Sequence, residues 1–154
     1  MIHAEPLSAA AFAPFGDVIE ARPETAVEIN AGYTTRFHAL ATAETDDKVI
    51  MSIFQGRPRP LEAAMLERHP LGSQAFVPLG GQPWLVVVAE KADPTALRAF
   101  LCRGDQGVNY RAGVWHHPLL VLGDAQDFLV VDRAGQGQNL EEVFFEPVGI
   151  ATSA

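Results

Sequence analysis

The chain has a single cysteine, Cys102, so it can close no disulfide within itself and cannot build a cysteine-based zinc cluster. A buried structural thiol is the expectation for it. Positive charge is also scarce: 11 Lys and Arg stand against 19 Asp and Glu, giving a formal net charge of −8 and a pI near 5.0. Nucleic-acid affinity comes mostly from clustered cations, so this balance argues against a nucleic-acid partner and for work on a small molecule. No apolar run approaches the ~20 residues that cross a bilayer, and residues 1–13 lack the basic start and apolar stretch of a signal peptide. The expectation is therefore no membrane partner and a reducing, cytoplasmic setting. Repeats and low-complexity segments are absent as well.

What is present is a chain of 154 residues, a length at which one core buries roughly 70% of the unfolded surface. A single domain over residues 1–154 is expected, with residues 148–154 as a loose tail. Ser8 ahead of Ala9 to Phe12 reads as the N-cap of one helical turn, stopped by Pro14 and Gly16. Beyond it, short β-prone runs recur between Gly, Pro and Asp clusters: 17–19, 33–38, 49–54, 74–77, 84–89, 98–102, 115–122, 128–132 and 143–146. Many short strands at this spacing indicate an all-β sandwich or barrel. The segment Leu61 to Arg68 is built from strong helix formers. Two turns before Pro70 make a marginal helix, and strand pairing overrides propensity in β-proteins, so it is read as a strand.

Two separated segments carry the chemistry. Glu67-Arg68-His69-Pro70-Leu71-Gly72-Ser73-Gln74 is followed by Arg111-Ala112-Gly113-Val114-Trp115-His116-His117-Pro118. On a strand, the i,i+2 spacing of Glu67 and His69 turns both to one face. Glu67, His69 and His116 are good ligands for a divalent ion, and Gln74 can add its carbonyl oxygen. Neighbours on a strand face opposite sides, so His116 and His117 cannot both serve the site; His116 is assigned to it and His117 is not. Taken singly, Glu67 reads as a strand-end carboxylate beside Arg68 and His69 as a turn residue before Pro70. Taken with the second segment, the inward-facing site is favoured.

The order and spacing of these residues resemble the two cupin motifs. Glu67-x-His69, then Gln74, then Gly80 resembles the first, and Gly104 through Arg111-x-Gly113-x-x-His116 resembles the second. Glu67 stands where the cupins usually carry a first histidine, and Gln74 where they carry a glutamate. This smaller ligand set leaves weak or absent metal occupancy open. The segments 67–76, Leu97-Arg98-Ala99-Phe100, Gln106-Gly107-Val108-Asn109-Tyr110 and Val114 to Leu119, with Phe15 to Glu20 and Arg36-Phe37-His38, are more specific still. They resemble the signature segments of the ureidoglycolate lyase (ureidoglycolate hydrolase) family over nearly the whole chain.

That resemblance implies a cupin-type double-stranded β-barrel, or jelly roll, and a cytoplasmic homodimer. It further implies cleavage of (S)-ureidoglycolate to glyoxylate and urea, a carbon–nitrogen lyase reaction of purine and allantoin catabolism, linked to nickel or another divalent ion. The chemistry asks for a base, an acid and a carboxylate anchor. A metal could chelate the substrate's carboxylate and hydroxyl together, or Glu67, His69 or His116 could take the hydroxyl proton directly. Arg36 and His38 share a strand face and are candidates for the anchor, with Tyr110 and Trp115 as pocket walls. Their plainer readings are a solvated face and core packing. Asp132-Arg133 reads as a strand-end polar pair and His3 as a surface residue. The competing function is a non-catalytic small-acid-binding cupin, with another metal-dependent cupin enzyme as a third.

Overall fold

The computed structural model describes residues 1–152 as a predominantly β protein with one short helix. In chain order the strands begin with β1 (Ile2–His3), β2 (Glu5–Pro6), β3 (Gly16–Ile19), β4 (Ala26–Ile29) and β5 (Thr34–Phe37). The long central strands are β6 (Lys48–Gly56), β7 (Glu62–Arg68), β8 (Gln74–Pro78), β9 (Trp84–Ala89) and β10 (Leu97–Cys102). The last are β11 (Gly107–Tyr110), β12 (Trp115–His116), β13 (Leu120–Val121), β14 (Gln126–Ala134) and β15 (Glu141–Ala151). Helix α1 (Ala9–Phe12) starts where the sequence places it, with the Ser8 hydroxyl accepting the Ala11 N–H at 3.2 Å.

Eight strands form one sheet in the order β1-β15-β7-β12-β9-β10-β2, with β13 also on β9. β1 and β2 lie at its two ends yet are separated by Ala4 alone, so the chain ties the sheet's edges together and bends it toward closure. Five more strands form the facing sheet in the order β3-β11-β8-β14-β6. β4 and β5 make a separate hairpin. This is the expected all-β, double-stranded barrel architecture.

Side-chain alternation along β9 explains how the core divides. Trp84, Val86 and Val88 join the apolar cluster between the sheets, with Phe12, Phe76, Phe100 and Phe128. Leu85, Val87 and Ala89 face the other way, into a second cluster with Leu66, Leu120 and Ile150. β9 is therefore buried on both faces, which is why it reads as an unbroken apolar run. Cys102 sits fully buried in the first cluster, where desolvation pushes its thiol pKa far up.

Residues 61–68 illustrate tertiary override of propensity. Glu62 to Arg68 are the strand β7, held by β15 on one side and β12 on the other. The run expected over 115–122 is divided into β12 and β13, because Pro118 has no N–H to give a ladder. The loose tail is a correction: residues 148–151 belong to β15, pair with β7 and β1, and bury Ile150. Pro147 suggests a strand end in the sequence, but it falls where the β15–β7 register shifts between Phe144 and Val148, a place that tolerates proline. Residues 153 and 154 lie outside the described residues.

Candidate metal centre and active site

The site begins with a register. β7 and β12 are antiparallel with Glu67 opposite His116, and His116 is in turn opposite Val88 of β9. Alternation sends Leu66 into the second apolar cluster and Glu67 to the other face, between the sheets. A tight turn delivers β12 to this position: the Val114 N–H donates to the Arg111 carbonyl at 3.2 Å, and Gly113 takes φ +80° within it. The Gly113 N–H donates to the His69 carbonyl at 2.9 Å, which joins the turn to the end of β7.

Glu67, His69 and His116 converge so that one donor atom from each lies within 4.8 Å of the others. His117 has no place in this cluster; its backbone N–H donates to Val87, and its ring Nδ1–H to the Pro118 carbonyl at 2.7 Å. The two site imidazoles are oriented alike. Nδ1 of His69 lies 2.9 Å from the Asn139 carbonyl, and Nδ1 of His116 lies 2.9 Å from the Val114 carbonyl. A carbonyl only accepts, so each Nδ1 carries its proton, and in the neutral imidazole the lone pair is then on Nε2. Both Nε2 atoms are buried without a hydrogen-bond partner.

Gln74, at the start of β8, brings a third such atom. Its Nε2 donates to the Asp132 carboxylate at 3.1 Å, which fixes the amide orientation and leaves Oε1 buried and unpartnered. Tyr110 stacks on the His116 ring with centroids 4.3 Å apart and planes 13° from parallel, holding it from behind. Burial lowers the His116 pKa to about 3, with the His69 and His117 rings adding to the effect, so this imidazole is neutral at ordinary pH. Burial also raises the Glu67 pKa, opposed by the neighbouring His69 imidazole and aided by Glu142.

Lone pairs thus face one another without a proton between them: Nε2 of neutral His116 lies 3.7 Å from a Glu67 carboxylate oxygen. Leaving such atoms buried and unpaired costs about 1–3 kcal/mol each. A divalent cation would satisfy Glu67, His69 and His116 at once, with Gln74 on the same cavity wall as a further oxygen, and this mixture of imidazole nitrogen and oxygen suits a borderline ion. Donor atoms of Glu67, His69 and His116 already gathered within 4.8 Å of one another would need only side-chain adjustment to hold one ion together. The residues fit a metal.

The cluster opens onto a cavity of about 380 Å³ lined by Phe54, Gln55, Gly56, Arg57, Arg59, Glu67, Gln74, Phe76, His116, Pro118 and Leu119. That volume falls in the range of small-molecule sites, about 300–1,000 Å³. Four residues expected at the substrate are placed elsewhere. Arg36 and His38 lie on and just beyond β5, in the exposed hairpin, away from this wall. Having two residues on one strand face does not decide what that face meets. Trp115 is sent to the opposite side from His116 by alternation and lies under the Arg68 guanidinium at 4.6 Å. Tyr110 is buried behind His116 and does not line the cavity. Asp132 and Arg133 do not form a pair: Asp132 holds Gln74, while Arg133 bonds to Asp46 and the Gln136 carbonyl. Asp132 and Asn139 are site-positioning residues that sequence reasoning missed.

Asp132→Ala should weaken equilibrium binding of Ni²⁺ or Mn²⁺ by about 10–100-fold, because Gln74 loses the contact that aims its oxygen. His117→Ala should leave that affinity in place and lower the melting temperature. Competition titration against a chelator reads the first effect and thermal denaturation the second; wild-type affinity in Asp132→Ala would contradict the orienting role.

The ureidoglycolate lyase family model matches residues 1–152. A ureidoglycolate lyase of Rhizobium leguminosarum bv. trifolii is 57% identical over 148 residues, 92% of this chain and 89% of the relative. One from Azotobacter vinelandii is 57% identical over 149 residues, covering 92% and 90%. The solved Bacillus subtilis oxalate decarboxylase, described for its Mn(II) centres, aligns with 64% of this chain and 24% of its own at 16% identity and a TM-score of 0.44, a likeness too slight to bear on the ion. A match along residues 1–152, together with relatives identical at more than half of the aligned positions, places this chain in the ureidoglycolate lyase family.

Proposed function

We propose that the protein is a ureidoglycolate lyase, a carbon–nitrogen lyase of the amidine-lyase type that splits (S)-ureidoglycolate into glyoxylate and urea. The observation that carries this reading is the family match over residues 1–152 to a chain whose cavity is lined by Glu67, Gln74 and His116, with His69 clustered beside them. It would act in the cytoplasm, in purine and allantoin catabolism, releasing nitrogen for use as urea.

Glu67, His69, Gln74 and His116 would hold the divalent ion, nickel by family resemblance, and the bound ion would supply Lewis-acid assistance by lowering the pKa of the substrate hydroxyl. The chain's own groups divide the remaining work. His116 is neutral, its Nδ1–H is committed to Val114, and a pKa of about 3 leaves it no proton to give at neutral pH. Glu67 lines the cavity and is made more basic by burial. It is the group to take the hydroxyl proton, a step of the kind that contributes about 10²–10⁴-fold. The oxygen's electron pair then forms the glyoxylate carbonyl as the carbon–nitrogen bond breaks, and the proton passes to the departing nitrogen, giving urea. Phe54, Phe76 and Leu119 supply apolar wall that limits water around this exchange.

We also propose that the single domain, residues 1–154, works as a homodimer joined along β6. Among the described residues this strand has a partner on one edge only, β14, and it presents Met51 and Ile53 at 74% and 58% exposure, with Val49 and Ile50 beside them. A long apolar edge strand left uncovered invites pairing with another chain, and a second copy covers it symmetrically.

Elimination consumes no water, whereas hydrolysis of the ureido group requires attack on a deactivated carbonyl. The purified enzyme, free of urease, should release urea and glyoxylate in equal amounts; stoichiometric ammonia in place of urea would refute the lyase reaction. For the assembly, the Met51→Lys/Ile53→Lys double variant should elute as a folded monomer where the wild type is a dimer by light scattering. A dimer of unchanged stability in that variant would remove β6 from the interface.

A further inference from the structure

We infer that Arg57 and Arg59 form the carboxylate anchor of this site, and that the cavity therefore selects short 2-hydroxy and 2-oxo acids over their neutral counterparts. The inference deepens the lyase reading and rests on it for the identity of the substrate. Both arginines line the cavity that holds Glu67, Gln74 and His116. They belong to the segment Arg57-Pro58-Arg59-Pro60, which links β6 to β7 across the mouth. Each arginine precedes a proline, and a residue in that position is confined to extended backbone. The two prolines thus stiffen the backbone that carries both guanidiniums to the same cavity wall.

Apart from Arg36, which lies on the exposed strand β5 and outside the cavity lining, their partners distinguish them from the other arginines. Arg22, Arg68, Arg98, Arg103 and Arg133 are each in an ion pair with a nearby carboxylate, and Arg111 donates to the carbonyls of Ala13 and Pro14. Among the described residues, Arg57 and Arg59 have no carboxylate partner; Arg57 has only a long contact, 3.4 Å, with the Gln55 amide oxygen. This is unusual in a chain whose acids outnumber its bases by 19 to 11. The cavity wall carries these two cations and one carboxylate, Glu67, so its charge favours an anion even without a metal. A guanidinium fork matches the two oxygens of a carboxylate, and the substrate's single formal charge is its carboxylate. With that end held at the mouth, the hydroxyl-bearing carbon is directed inward toward Glu67 and the imidazoles.

The decisive measurement compares Arg57→Gln, Arg59→Gln, the double variant and the Arg→Lys forms, on metal-loaded protein of verified fold. Calorimetry gives the affinity for glycolate and for its neutral counterpart glycolamide, and steady-state kinetics gives KM and kcat with ureidoglycolate. The expected result is a loss of glycolate affinity of about 10–100-fold in the Gln variants, with glycolamide affinity little changed. The turnover defect should fall mainly on KM, and the Lys forms should recover part of it. Glycolate affinity and KM at wild-type values in the double variant would overturn the assignment while leaving the lyase reading in place. A wild type that binds glycolate through these arginines yet fails to split ureidoglycolate would support the anchor and end the lyase reading. No glycolate binding by the wild type would also overturn the anchor.

Discussion

The pairing of Glu67 with His116 across β7 and β12 is the constraint on which the rest of the site depends. A strand has a period of two, so a slip of one residue on either side would exchange Glu67 for Leu66 or Arg68, or His116 for Trp115 or His117. The fold holds the register from both flanks. β15 pairs along β7 on one side, and β9, buried on both faces, holds β12 on the other. The apolar alternation that places Leu66 in the core is therefore the same force that places Glu67 in the cavity.

What that register creates is a meeting of lone pairs. Carbonyls from Asn139 and Val114 fix the tautomers of His69 and His116, and the Asp132 carboxylate fixes the amide of Gln74. Each of these contacts uses the outer polar atom of a side chain and leaves the inner one free. The arrangement leaves the site short of positive charge at its floor while Arg57 and Arg59 supply it at the mouth. A small hydroxy acid in the cavity would then meet a cation at each end, one from the chain and one from an ion.

The sequence disclosed the four donors because they fall in two segments of known spacing, and alternation alone separates His116 from His117. It disclosed the barrel because turn residues recur between short apolar runs. The short strands β1, β2, β4 and β11 went unseen: β11 contains Gly107 and Asn109, poor β-formers that pair only because β3 and β8 flank them. Asp132 and Asn139 act on residues 58 and 70 positions away, a separation that no local pattern encodes. Arg36 and His38 drew attention because they share a strand face, a property that does not tell which face of which sheet it is. Alternating proline marks residues 57–60 as a connection, and no local pattern tells that its two arginines meet the cavity wall, although the same prolines stiffen the backbone that presents them.

The central claim is that one divalent ion is held by Glu67, His69, Gln74 and His116. Anomalous diffraction from crystals grown with Ni²⁺ at neutral pH tests it directly. The account predicts one strong peak bonded to Nε2 of both histidines at about 2.0–2.1 Å, with oxygens of Glu67 and Gln74 completing the near side. A peak elsewhere on the protein, or one bonded through either Nδ1, would contradict it.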